Sequence, residues 1–227
     1  MHPTRAQPLR KSSPLMVEKT TGLILRKRRL TESSLIIHWL TPNLGRLATV
    51  AKGALRPKSV FRGRLDLFYE ADFSFNRSRR SELHTLTEVK TGEIHSPLRI
   101  NLSYLQQACY CAELVEQTTE TDTPLPEVFE LMRSLLDHLP RQAPAPHTVI
   151  AFEMKLLEIL GLQPDPADSA LSAGAKCLLE VLGKGAWETI GRLKISVPQA
   201  NELNRFLERF MIYHLGRVPR ERMTALQ

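Results

Sequence analysis

Apolar residues recur at every second position up to about Thr91 and at every third or fourth position after Pro97, and this change of period limits what the chain can fold into. Two-period runs need sheet partners, while 3.6-period stripes need other helices. The chain is therefore expected to be an α+β protein with a β-rich domain followed by an all-α domain. Five runs in the first part have strand length and β-branched or aromatic content: 22–27, 34–41, 45–52, 66–76 and 82–91. In the fourth, Tyr69, Ala71, Phe73 and Phe75 share one parity and Glu70, Asp72, Ser74 and Asn76 the other, which predicts a half-buried strand. The TPNLG segment at 41–45 has hairpin chemistry.

Five short strands at this spacing fit a small barrel of the OB type, whose open face and loops suit single strands of nucleic acid. After Pro97, Leu98, Leu102, Leu105, Ala108, Ala112 and Val115 trace one helical stripe, and Val128, Leu131, Met132, Leu135, Leu136 and Leu139 a second. Thr123 and Pro124 offer the second helix an N-cap and a first-turn proline. Further helices are expected at about 148–160, ended by Gly161, at about 171–182, and from Pro198 to before Gly216. Domains are placed at 20–96 and 97–227, behind a basic, Pro- and Ser-rich leader at 1–19 expected to be disordered. The leader lacks the apolar core of a secretory signal, and no apolar run is long enough for a membrane span.

Charge is divided as unevenly as periodicity. Residues 1–95 carry 18 of the 31 Lys and Arg but 8 of the 24 Asp and Glu, so the net +7 belongs wholly to the first part. A one-sided excess of this kind is the footprint of a phosphate-binding module. Its focus is AKGALRPKSVFRGRLDLF at 51–68, where Lys52, Arg56, Lys58, Arg62 and Arg64 stand among glycine, proline and small residues. Such a segment cannot bury its own cations, so it reads as an exposed loop facing a polyanion. Arg26, Lys27, Arg28 and Arg29 form a second basic run expected between the first two strands, and Arg46 adds a cation in the hairpin. Phe61, between Lys58 and Arg62, is expected to be exposed, either stacking on a base or anchoring the loop. Trp39, Phe73 and Phe75 are expected in the core.

Enzymatic chemistry finds little footing. The seven histidines fall in no metal spacing, and no phosphate-cradling glycine loop or nucleophile elbow occurs. His38 reads as a strand residue, and Glu120 and Asp122 as acids favouring a nearby helix start. Cys109 and Cys111 project about 200° apart on a helix and cannot clasp one ion, so they read as core thiols.

The stretch ESSLIIHWLTPNLGRLATVAKGALRPKS at 32–59 resembles the N-terminal domain of the RecO family of bacterial recombination mediators. There a Glu-x-Ser segment precedes the second strand, a Thr-x-x-x-Gly-Arg hairpin follows, and an Ala-Lys-Gly-Ala-Arg-Arg-x-Lys-Ser loop comes next. Here these become Glu32 and Ser34, then Thr41, Gly45 and Arg46, then 51–59 with Leu55 in place of the usual first arginine. FEMKLLEILGLQPD at 152–165 and YHLGR at 213–217 resemble helices of the family's second half. The resemblance implies an OB-fold followed by a helical domain in a bacterial cytoplasmic protein that is not an enzyme. It implies binding of single- and double-stranded DNA, annealing of complementary strands and help in loading RecA. It also implies RecR and the acidic tail of the single-strand DNA-binding protein as partners.

For that tail, Lys155, Arg217, Arg220 and Arg222 are the expected cations, and Leu156, Leu160 and Leu215 the expected groove lining. An adaptor that binds mainly this peptide, with DNA contact secondary, is the alternative function. Many family members carry four zinc-binding cysteines after the Leu-Gly-x-x-Pro turn. Here Cys177 is the one cysteine after Pro164, so the segment DPADSALSAGAK at 165–176 reads as a degenerate remnant, and no metal or other cofactor is expected.

Overall fold

The computed structural model describes residues 17–165 and 171–227. Five strands, β1 (Val17–Arg29), β2 (Leu35–Thr41), β3 (Gly45–Ala51), β4 (Glu70–Asn76) and β5 (Leu83–Thr91), close into a barrel in the order β1-β2-β3-β5-β4. The β3–β5 pair is parallel and the others antiparallel, which is the five-stranded OB arrangement. Closure depends on the length of β1, whose first half pairs with β4 and second half with β2. Two expectations change as a result. Arg26 to Arg29 lie within β1 rather than between strands, and Val17 to Lys19 are strand residues rather than leader; the rest of the leader, 1–16, lies outside the described residues.

The barrel interior is filled by the parity seen in the sequence. Ile24, Ile37, Trp39, Leu47, Ala71, Phe73, Phe75, Leu86 and Val89 are buried together. Trp39 stacks on Phe73 with ring centroids 4.0 Å apart and donates its indole N–H to Thr49 Oγ1 at 2.8 Å. β4 starts later than expected, at Glu70, because Phe68 sits at φ 61°, a left-handed conformation that breaks the strand.

Beyond a 3₁₀ turn at Ser96–Ile100 come α1 (Leu102–Thr118), α2 (Pro126–His138), α3 (Pro146–Ile159), α4 (Ala173–Lys184), α5 (Trp187–Ile190), α6 (Val197–Leu215) and α7 (Arg222–Ala225). Leu98 belongs to the 3₁₀ turn, so the expected first stripe is broken there and Leu102, at the first position of α1, is 69% exposed. The second helix starts at Pro126 behind Leu125, so Pro126, not Pro124, is its first-turn proline, and Thr123 is no cap. α6 opens with a capping box between Ser196 and Gln199 and ends at Gly216 with φ 77°. Cys109 and Cys111 point apart and only Cys111 is buried; Cys109 is exposed, which corrects its reading as a core thiol, and Cys177 is exposed as well.

One ionic group lies inside the helical core. Glu153 is fully buried, accepts from Arg222 Nε at 2.7 Å and Nη2 at 2.8 Å, and takes the Tyr110 hydroxyl at 2.5 Å. This pairing holds α7 against α1 and α3, and explains how a 3% exposed arginine is tolerated. The two parts of the chain also share apolar packing: Leu23, Leu25, Leu40 and Phe68 of the barrel belong to the same buried cluster as the helical core.

Candidate nucleic-acid interface

The segment between β3 and β4 is an ordered loop built as a chain of turns. Backbone N–H groups of Ala54, Arg56, Ser59, Arg62 and Arg64 each donate to the carbonyl three residues back, and Gly53 and Gly63 take positive φ where the path bends. Leu55 N donates to Ser33 O at 3.0 Å, tying the loop to the β1–β2 turn. Ala54, Phe61 and Leu65 turn inward and join the barrel core. Phe61 is 7% exposed, which corrects its expected exposure: of the two roles open to it, it anchors the loop, because an aromatic ring gains more from the open end of the barrel than from water. The cations of this segment, Lys52, Arg56, Lys58, Arg62 and Arg64, are all exposed, with Arg62 donating to the Pro57 carbonyl at 3.2 Å and Arg64 to that of Val89 at 3.1 Å.

The second basic run reaches the same face in part. Lys27 joins Arg56 and Arg62 around a cleft of ≈ 410 Å³, although its Nζ is held 2.5 Å from Asp66. Arg28 and Arg29 are exposed at the end of β1. Arg26 forks onto Glu116 of α1, at 3.1 and 3.2 Å. Arg46, expected free for phosphate, is instead half-buried: its Nε donates to Thr119 Oγ1 at 2.7 Å and its Nη2 to the Thr119 carbonyl. It therefore caps the C-terminal end of α1, where a cation meets the negative pole of the helix. Burial lowers the Arg46 pKa, opposed by Glu116.

The hairpin around Arg46 is shaped for this contact. Thr41 Oγ1 donates to Gly45 O and accepts from Leu44 N, closing the turn. Gly45 has φ 69°, and a Cβ there would collide with the Thr123 backbone. Asp122 N donates to Arg46 O at 2.9 Å, while the Asp122 carboxylate takes Arg77, which also forks onto Glu18. Asp122 thus serves the seam with the barrel rather than a helix start. Arg77 was missed in the sequence because its partners lie 45 and 59 residues away.

His38 sits beside this seam, with Nδ1 3.3 Å from Glu116 Oε1. Burial first, then Arg26, Arg28 and Arg46, hold its pKa down to about 4, so it is neutral near pH 7. Burial pushes the Glu116 carboxyl up against the pull of Arg26 and Arg46.

In the helical part, several expected groove residues are elsewhere. Arg222 is consumed by Glu153, and Leu156 is 1% exposed in the core, so neither can line a groove. Lys155 donates to the carbonyls of Gly183 and Gly185 at 2.9 and 2.7 Å, capping α4, and lies over the Trp187 ring. Its surroundings include Glu127, Glu130 and Glu158, which repel an acidic peptide. Leu160 and Leu215 are half-buried, and Arg217 and Arg220 exposed. A different groove, of ≈ 790 Å³, runs along α6 between Arg205, Phe206, Arg209, Phe210 and Tyr213. Its sequence signal was the i, i+4 repetition of Arg205 with Arg209 and Phe206 with Phe210. Among the described residues no three His, Cys, Asp or Glu side chains come together as a metal site, and part of the 165–176 segment, 166–170, lies outside them. No helix among them is long and apolar enough to cross a membrane.

Comparison with known proteins matches both parts of the chain. Residues 16–95 match the model of the recombination protein O N-terminal region, and 101–172 that of its C-terminal region. A DNA repair protein RecO of Alkaliphilus metalliredigens is 27% identical over 89% of this chain and 96% of its own length. One of Anaeromyxobacter is 26% identical over 88% of this chain and 92% of its own. One of Rhodopirellula baltica is 31% identical over 63% of this chain and 53% of its own.

Proposed function

Because this chain belongs to the RecO family of DNA repair and recombination proteins, we propose that it is a non-enzymatic mediator that tracks the phosphates of single- and double-stranded DNA with its basic loop. The observation that carries this reading is the division of labour within 52–64. Phe61 and Ala54 pin the loop into the barrel, and Lys52, Arg56, Lys58, Arg62 and Arg64 are left exposed on a fixed backbone. A preorganised row of cations loses little entropy on meeting a strand and releases its counterions. Two strands neutralised on one surface no longer repel, which permits annealing without nucleotide hydrolysis. In the reading this gives, the protein helps RecA onto strands coated with single-strand DNA-binding protein, with RecR as a further partner. Fluorescence anisotropy with a labelled oligonucleotide tests it without added metal or nucleotide. Binding is expected at about 50 mM salt, weakening steeply as salt rises; no binding at that salt overturns it.

A peptide-binding role beside DNA is favoured by the α6 groove. Arg205 and Arg209 flank Phe206, Phe210 and the 84% exposed Tyr213, an arrangement suited to a peptide ending in an aromatic ring and a carboxylate. Calorimetry of the full chain with an acidic, aromatic-ended peptide is expected to show binding that Arg209→Glu weakens about tenfold or more. Unchanged affinity in that variant removes the groove from the reading.

A further inference from the structure

The loop between β3 and β4 has a second side. Lys27, Arg56 and Arg62 line its ≈ 410 Å³ cleft, and a larger cleft of ≈ 760 Å³ lies against β1, β4 and β5. The two meet at Phe61 and share no other lining residue. Around that anchor the loop divides its side chains, with Val60 and Arg64 lining the larger cleft and Arg62 the smaller. Arg64 is held on its side by the bond to the Val89 carbonyl of β5, which leaves its other N–H groups available. Lys19 of β1 and Lys90 of β5 line the same cleft. They lie on one face of the sheet, because Lys19 stands opposite Ser74 and Lys90 opposite Asp72, and these two alternate along β4. Both lysines are exposed, and neither hydrogen-bonds or ion-pairs with a group among the described residues.

The two clefts differ in charge. Asp72 and Glu88 also line the larger one, where Asp72 takes the Thr21 hydroxyl at 2.6 Å and Glu88 that of Ser74 at 3.4 Å. Those donors are neutral, so both carboxylates keep their charge and set two acids against Lys19, Arg64 and Lys90. The smaller cleft sets none among its lining residues against Lys27, Arg56 and Arg62. Cations spread over a loop and two strands suit a run of phosphates better than one compact anion, and Val60, 68% exposed, offers apolar surface beside them. A strand in the smaller cleft reaches the larger one only by bending round residues 60–64. Two separate strands need no such bend.

We propose that the larger cleft holds a second DNA single strand beside the one in the smaller cleft, with Lys19, Arg64 and Lys90 on its phosphates. The inference rests on the DNA-binding reading above and assigns the two strands to opposite sides of the Phe61 anchor. Asp72 and Glu88 make the second strand the more weakly held. That asymmetry serves annealing, since a strand gripped as firmly as its partner is slow to leave for the duplex. Native mass spectrometry of the full chain with oligo-dT of about 10 nucleotides, which cannot pair with itself, counts strands per chain. Two are expected in about 50 mM ammonium acetate, the second bound about fivefold or more weakly than the first. Lys19→Glu combined with Lys90→Glu is expected to leave one strand per chain and to keep the first strand's affinity within about twofold. The same variant is expected to slow annealing of complementary oligonucleotides about tenfold or more. One strand per chain in the unaltered protein, a second strand that survives in the lysine variant, or annealing at the parent rate in that variant overturns the second cleft while leaving the loop reading intact. No strand on the unaltered protein overturns both.

Discussion

The loop between β3 and β4 and the seam between barrel and helices are both rich in arginine, yet they use it in opposite ways. In the loop, apolar residues are buried so that cations stay out: Phe61 is 7% exposed while its neighbour Arg62 is exposed. At the seam the cations themselves do the fastening, Arg46 on the end of α1, Arg26 on Glu116 and Arg77 on Asp122 and Glu18. The charge excess of the first part of the chain is therefore larger than the charge it offers to a ligand. Part of it is used within the molecule, where it offsets the acids of the helical part.

The sharpest way to break this contrast is to reverse the loop. Arg56, Lys58, Arg62 and Arg64 changed together to Glu are expected to lower single-strand affinity at least about 100-fold and the salt slope by up to about 3, at about 0.7 for each phosphate no longer neutralised. Circular dichroism and melting temperature are expected to stay close to those of the parent, since exposed loop substitutions cost little stability. An unchanged slope means the loop faces away from DNA.

The seam is expected to respond in the reverse sense. Gly45→Ala places a side chain at φ 69° against the Thr123 backbone, and a loss of about 2–4 kcal/mol in denaturant unfolding is expected. Arg46→Ala uncaps α1 and is expected to cost about 1–3 kcal/mol while leaving the salt slope nearly intact. If Arg46→Ala instead lowers the slope as a loop substitution does, the contrast between the two regions fails.

The smallest effect is one of pH. His38 titrates near 4 in the fold and near 6.5 in the unfolded chain. The unfolded state therefore binds more protons between about 4 and 6.5, so this contribution to stability is fully present above about 6.5 and is lost as pH falls through that window. His84, His95, His138 and His147, all lowered by burial, act in the same direction. Melting temperature followed from pH 7 downwards is expected to fall less steeply in His38→Phe than in the parent; parallel curves would assign the dependence to the other histidines.

What the sequence made legible was mostly local. The parity of Phe73 and Phe75, the end of the last helix before Gly216 and the stop at Gly161 each depend on a few neighbouring residues, and each is found as read. The loop's exposed cations were legible for the same reason: no nearby acid except Asp66 was available to neutralise them. Contacts across the chain were not. Arg46 finds Thr119 at a separation of 73 residues and Arg222 finds Glu153 at 69, and nothing in the spacing of either arginine distinguishes a fastening from a ligand. Phe61 escaped because its setting in sequence is polar, while its setting in space is the open end of a barrel.

The Arg46 cap on α1 also bears on how the molecule comes apart. A helix end whose terminal carbonyl is satisfied by another part of the chain cannot keep that partner once the other part unfolds, and Leu23, Leu25, Leu40 and Phe68 would expose their shared core at the same moment. Barrel and helices are therefore expected to melt as one cooperative unit, in a single calorimetric transition whose enthalpy matches its van't Hoff value. A cut beside Pro97 would release a helical fragment with α1 uncapped and part of its core in water.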